Sequence, residues 1–447
     1  MKCTQHSLQS KLMREIFRLV LVASVCTVGT CAAALPFNES PQYCGACHTR
    51  IYQEWKSSAM GRNLHDAMVY QFYTGTNAAG KKDGLGYQGL HPGKTGDCAD
   101  CHVPMLVLRQ HAVGHKVDLG VAMRKKLDYG ISCYFCHSVQ SVHITKDSAG
   151  RYRTRLYQTV TLDHSGAMHG PLKNAVSPAH ATKFSPEITQ SEFCASCHLN
   201  QEKFLSISTY VDWKKAYDSG KTRETCQDCH MPLHKKAVRV AVGGPKLLGV
   251  RSHSFIGASD PGLLHKALSL AVSTHIEATD LIVKTTVENV GAGHNVPGSG
   301  PIRNVILKVD ATGPNGKPLT FVGNAQDLLP NLAGVGNPVT GKRDAEDWAG
   351  LPGRMYAKVY RSAVNPRTGK AMVGVGGFTA DSVAFDTALR PLEPNVATFR
   401  FRLPAVHGLV HVQARLVYRW AFKSLADLKG WRVTDRPMRT VSRSVAW

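Results

Sequence analysis

Acidic residues are scarce in this chain of 447 residues: 32 Asp and Glu stand against 54 Lys and Arg, a formal charge of +22. Long apolar runs are lacking after residue 37, so no later segment reads as a membrane span. Spare cysteine is lacking as well. Of thirteen cysteines, Cys3, Cys26 and Cys31 precede residue 35, and the other ten fall into five Cys-x-x-Cys pairs. None is left for a disulfide framework, the usual meaning of many cysteines in an exported chain. The apolar fraction of 43% is ordinary, enough for a packed core and no indication of disorder.

The first residues read as an export signal. Lys2, Lys11, Arg14 and Arg18 precede an uncharged run from Leu19 to Ala34, with Ala32 and Ala34 at the small-residue positions of a cleavage site. Residues 1–34 are therefore expected to be removed, and an uncleaved N-terminal membrane anchor is the alternative. Without those residues (four basic, plus Glu15) the charge is still +19. An exported basic chain is not expected to meet nucleic acid; acidic proteins or an anionic surface remain. A plainer role for the cations is to neutralise the carboxylates of the chain's own cofactors.

Those cofactors follow from the cysteine pairs, every one of which is followed by histidine. The motifs are Cys44-x-x-Cys47-His48, Cys98-x-x-Cys101-His102, Cys133-x-x-Cys136-His137, Cys194-x-x-Cys197-His198 and Cys226-x-x-Cys229-His230. Two cysteines three apart on a helical turn can each form a thioether with one haem vinyl group, and the adjacent imidazole can ligate the iron. Zinc would require further ligands at each site and no histidine beside every second cysteine. Five covalent haem c groups, with iron held by His48, His102, His137, His198 and His230, are the expectation. Five such groups in residues 35–266 leave too little chain for separate cores. This segment should be an irregular, mainly α multihaem cytochrome domain, with helical patterning clearest over 53–65, 118–127 and 211–218.

Fifteen further histidines lie beyond residue 34. His169 and His180, ahead of the fourth motif, and His253, after the fifth, are candidates for the second axial position on iron. His115 precedes the third motif and is another, as are His65 and Met60 near the first. His111, His143, His164 and His234 read as surface or propionate-contacting residues. His91, His265, His275, His407 and His411 read as structural.

The stretch CGACHTRIYQEWKSSAM, with Trp55 and Ser58, resembles the first site of the cytochrome c-554/c-prime-like multihaem family. So do HGP at His169, SEFCASCH to His198, CQDCHMP at Cys226–Pro232 and RSHSFIG at Arg251–Gly257. The resemblance spans most of residues 41–260 and implies bis-histidine electron-transfer haems. Met60 stands where that family commonly has histidine.

After Lys266 the period changes. Leu268, Leu270 and Val272 alternate with small or polar residues, as do Val283 to Val287, Val305 to Val309, Phe399 to Leu403 and Val412 to Trp420. Period-two alternation broken by Gly, Pro and Asn predicts an antiparallel β-sandwich over 267–447. Domains with a loop like Gly291–Gly298, GAGHNVPG, accompany exported multihaem cytochromes, and that resemblance implies that His294 reaches a haem. Gly291 and Gly293 would permit a close backbone approach. Residues 336–342 imitate a phosphate-binding loop, but Arg343 replaces the hydroxyl that magnesium needs. Electron transfer between redox protein partners is the leading function. No lysine replaces a motif histidine, as it would at a site specialised for nitrite. A multihaem oxidoreductase acting on a small nitrogen or sulfur compound, and a surface-displayed cytochrome, are the alternatives.

Overall fold

The computed structural model describes residues 38–447 except 153–154, 203–204, 299, 338–339, 365–370 and 376–379. The expected export signal or anchor, with Cys3, Cys26 and Cys31, lies outside the described residues. Among the described residues no helix is long and apolar enough to cross a membrane.

The described residues up to 267 form short helices and a few small two-stranded sheets joined by long loops. Those used below are α1 (Pro41–Cys47), α2 (Thr49–Ser57), α3 (Ala59–Arg62), α4 (Ala67–Thr74), α5 (Cys98–His102), α6 (Leu119–Lys125), α7 (Cys133–Ser138), α8 (Ser191–His198), α9 (Thr209–Asp218), α10 (Cys226–His230) and α11 (Pro261–Ala267). The helix expected over 53–65 is broken at Ser58. Its extended backbone (φ −78°, ψ 168°) ends α2, and its hydroxyl accepts from the Gly61 N–H to cap α3. The other two expected helices stand. Asp118 caps α6, which stops where Lys126 turns left-handed, and α9 begins two residues earlier than the pattern suggested.

From Leu268 the chain turns to strands: β1 (Leu268–Glu277), β2 (Asp280–Asn289), β3 (Asn304–Thr312), β4 (Thr320–Phe321), β5 (Gly353–Tyr356), β6 (Lys358–Val364), β7 (Ala371–Val373), β8 (Ala380–Asp386), β9 (Pro394–Arg402), β10 (Leu409–Arg419) and β11 (Arg436–Ala446). They make two four-stranded antiparallel sheets, β4-β9-β2-β1 and β5-β3-β10-β11, and a small sheet β7-β6-β8. Every alternating run read from the sequence lies on one of these strands or runs just past its end. Leu281, Val283 and Val287 of the first sheet share one core with Val305, Leu307, Val412 and Leu416 of the second.

Strand β3 departs from simple alternation, for Asn304 to Val309 are all buried. The second sheet is covered on its outer face too, which is what removes the polar alternation. There Ile306 and Val417 pack with Trp348, with Phe422 and Leu425 of or beside helix α12 (Lys423–Lys429), and with Leu85 from the other end of the chain. In the stretch that imitates a phosphate-binding loop, the Asn337 N–H donates to the Lys342 carbonyl.

Candidate haem sites

Each Cys-x-x-Cys pair lies on a helix of five to eight residues: α1, α5, α7, α8 or α10. Helices that short do not persist alone in water, and side-chain caps hold three of them, α1, α7 and α10. Ser40 and Ser132 accept from the N–H groups of Tyr43 and Phe135, each at 3.2 Å. Thr225 and Asp228 cap α10 reciprocally: the Thr225 N–H donates to the Asp228 carboxylate at 2.8 Å, and the Asp228 N–H donates to the Thr225 hydroxyl at 3.3 Å. None of the ten cysteines is joined to another by a disulfide.

The motifs also touch one another. Cys44 interacts side chain to side chain with Cys133, Cys101 with Cys197, and Cys194 with Cys226. Cys136 lies near enough to Cys197 to feel its charge. Motif one therefore abuts three, two abuts four, and four abuts both three and five. The spatial order differs from the chain order.

Histidine placement is the more telling geometry. The rings of His48 and His180 face each other with centroids 6.3 Å apart, as do those of His137 and His253 and those of His230 and His294. Interplanar angles are 35°, 22° and 12°. A metal–imidazole bond of about 2 Å on each side, plus about 1.1 Å from nitrogen to ring centre, spans about 6.2 Å. Each facing pair thus leaves room for one metal atom and nothing larger along that line.

The other ring nitrogen is engaged in all six. Nδ1 of His48, His137 and His230 bonds the carbonyls of Val240, His169 and Ile256 at 2.8, 2.6 and 2.6 Å. Nδ1 of His180, His253 and His294 bonds the carbonyls of Ala181, Arg251 and Asn295 at 3.0, 3.2 and 2.8 Å. A carbonyl partner fixes the proton on Nδ1 and leaves Nε2 with its lone pair, the state in which imidazole ligates metal. Burial pushes His253 and His294 down to about 4, so both are neutral at physiological pH. Burial also lowers His137.

His102 and His198 are held differently. His102 Nδ1 bonds the side-chain oxygen of Asn63, whose amide donates back to the His102 carbonyl at 2.8 Å. Burial pushes His102 down to about 4. His198 is open to solvent on one side, and crowding by protein on the others pushes it down to about 4, with His230 and Arg303 adding to the effect. Among the described residues no second imidazole ring faces either one.

Several expected candidates lie elsewhere. His169 is buried, its Nε2 is 2.8 Å from Asp163, and it meets His137 through its backbone carbonyl. It positions a facing histidine and does not stand in a pair. His115 is exposed beside Gln110, and His65 is exposed at the end of a short 3-10 turn. Met60, in α3, is half-buried, and the place opposite His48 is taken by His180. Of those set aside, His234 pairs with Glu54 at 3.1 Å, His111 stacks on Tyr157, and His143 bonds Ser141. His164 is exposed. Gly291 and Gly293 do allow close approach, but to the Lys266 carbonyl and Thr222, where a Cβ would come within 2.1 and 3.1 Å. They seat the loop that carries His294. The sequence offered no signal for Asn63, whose partner lies 39 residues away.

Residues 43–138 match the family model of cytochrome c554 and c-prime, and residues 167–242 match the N-terminal region of the NapC/NirT cytochrome c family. The chain is similar to multihaem c-type cytochromes. Its fold is also that of a penta-heme cytochrome c552 from Thermochromatium tepidum, with a TM-score of 0.62 at 18% identity, over 91% of this chain and 98% of that one. That likeness covers the helical and sheet regions together. No curated protein matches the chain.

Proposed function

We propose that this chain is an exported pentahaem c-type cytochrome whose work is electron transfer between redox proteins. The observation that carries the reading is the set of three facing imidazole pairs at one spacing, each built from a motif histidine and a distant one. Haem iron, when bound, supplies a one-electron couple. The chain's part is to tether and hold. Ten cysteines would give two thioether tethers per site, and at three sites the carbonyl-bonded imidazoles would hold two iron-ligating nitrogens in place. Contacts among the motif helices make the fourth site a junction for the second, third and fifth, with the first at an end. Residues 35–266 would hold the haems and residues 267–447 a β-sandwich. His294 then makes the sandwich part of the fifth site. Residues 1–34 serve export, by cleavage or as an anchor.

A second reading has one support. His102 and His198 face no imidazole among the described residues, and Arg303 lies near His198. An exchangeable position at either site would suit reduction of a small anion.

Low-temperature electron paramagnetic resonance of the oxidised protein tests both readings. Three bis-histidine low-spin irons are expected, and His294→Ala should convert one of them to high spin. An unchanged spectrum in that variant would remove the pairing on which the proposal stands. High-spin signal in the unaltered protein at the second or fourth site would favour the enzyme. Intact mass should show five haems and no free thiol.

A further inference from the structure

Two surface segments flank the His48/His180 pair from opposite sides. Residues 171–184 deliver His180. Residues 233–249 back His48: the Val240 carbonyl bonds its Nδ1, and the Val242 N–H donates to the Cys47 carbonyl at 2.9 Å. The second segment is held as a hairpin by pairing of Val238–Arg239 with Lys246–Leu247.

Their composition is one-sided. The first carries Lys173 and Lys183, the second carries Lys235, Lys236, Arg239 and Lys246, and neither holds an Asp or Glu. All six cations are exposed. Lys183 reaches Asp163 at 3.4 Å and Arg239 bonds the Gly244 carbonyl, while the other four join no ion pair among the described residues. Apolar side chains stand among them, with Val176 94% exposed and Leu248 75% exposed. Apolar groups ringed by charge of one sign make a transient protein-docking surface: the apolar part supplies contact and the charge steers approach. The first motif is also one of three ends of the motif order, with the second and fifth, and is in side-chain contact with the third.

We infer that this face is the port through which electrons enter or leave, and that it docks an acidic redox protein. The inference rests on the electron-transfer reading above. Each encounter would move one electron: an acidic donor would lose it and a haem held at the first site would gain it. Cations at the rim raise the encounter rate by 10- to 1,000-fold at low ionic strength, an advantage that salt screens away.

The test uses the holoprotein and reduced plant-type ferredoxin as the acidic one-electron donor, mixed in stopped flow across ionic strengths, with dithionite as a small reductant. Lys173, Lys235, Lys236 and Lys246 are changed together to Glu. A control carries the same reversal at Lys284, Lys317, Lys342 and Arg432 of the sheet region. The port variant should lose tenfold or more of its rate at low salt, lose its salt dependence, and keep its haem spectra. The control should lose less than threefold. Equal losses in the two variants would mean that net charge alone steers, and would overturn the port. So would an unchanged rate with a shifted first-site potential, since the lysines would then serve haem carboxylates. Failure of dithionite to reduce the unaltered protein would instead sink the electron-transfer reading itself.

Discussion

The two ends of this molecule bury apolar surface in opposite ways. After residue 267 one cluster gathers 22 buried hydrophobic residues between two sheets, joined by Leu264, and a second gathers 15 on the outer face, joined by Leu85. Before it, with a longer stretch of chain, the clusters hold only eight, six and four. The sheet region is held by side chains alone, whereas the helical region closes on what its cysteines are expected to carry. The largest expected effect follows. A chain produced without haem attachment should lose residues 38–267 to brief protease treatment, while fragments starting near Leu268 persist. Equal resistance in the two halves, read by mass spectrometry of the digest, would break the contrast.

The contrast stops at the seam, where a buried cation ties the halves together. Lys429, wholly buried on α12, donates to the Thr76 carbonyl at 3.0 Å, to the Leu85 carbonyl and to the Asp83 carboxylate at 2.8 Å. Burial lowers its affinity for the proton, and Asp83 opposes that. Replacing Lys429 by Met strands a carboxylate and two carbonyls, which should cost about 3–5 kcal/mol. Denaturant unfolding of the holoprotein would measure it. Adding Asp83→Leu should recover a good part, because the loss comes from the stranded charge. No recovery would mean that the lysine matters for its packing against Phe72 and Trp431.

A smaller effect separates holding from ligating. His169→Ala removes a buried imidazole bonded to Asp163, at about 1–3 kcal/mol. It leaves the backbone carbonyl that receives His137 Nδ1. The count of low-spin irons should stay the same, whereas His253→Ala should lower it by one. A lost low-spin signal in the His169 variant would restore that residue as a ligand candidate.

The legible parts of the sequence were those whose chemistry is local. A Cys-x-x-Cys-His run states its purpose within five residues, and the alternation in strands such as β9 follows from having one dry sheet face. The facing histidines are not local. His180 and His48 lie 132 positions apart, and nothing near either states the pairing. His169 has the same sequence surroundings as a ligand, yet Asp163 takes its Nε2. Lys429 was invisible for the same reason, since its partners lie more than 340 residues upstream. Met60 was misleading because it stood beside its motif, whereas the partner of His48 arrives from another loop.

The smallest expected effect also sits at the seam. Asp212, in the first turn of α9, lies near Lys358 and Asp386 of the sheet β7-β6-β8. Burial pushes its carboxyl from 3.8 up to about 6, Asp386 adds to the rise, and Lys215 and Lys358 oppose it. A raised folded value means that the folded chain binds more protons than the unfolded one between about pH 4 and 6. Stability therefore falls as pH rises through that window, and the full penalty applies above it. Two units correspond to about 3 kcal/mol. Asp212→Asn removes the penalty but also a favourable charge at a helix start, about 0.3–1 kcal/mol. A net gain of about 1–2 kcal/mol at pH 7 is expected, allowing for partial screening. Well below pH 3.8 the carboxyl is protonated in both states and the gain vanishes, so most of it should already be lost at pH 4. Thermal unfolding at pH 7 and pH 4 would show it, and an equal gain at both would mean that the aspartate acts through shape rather than charge.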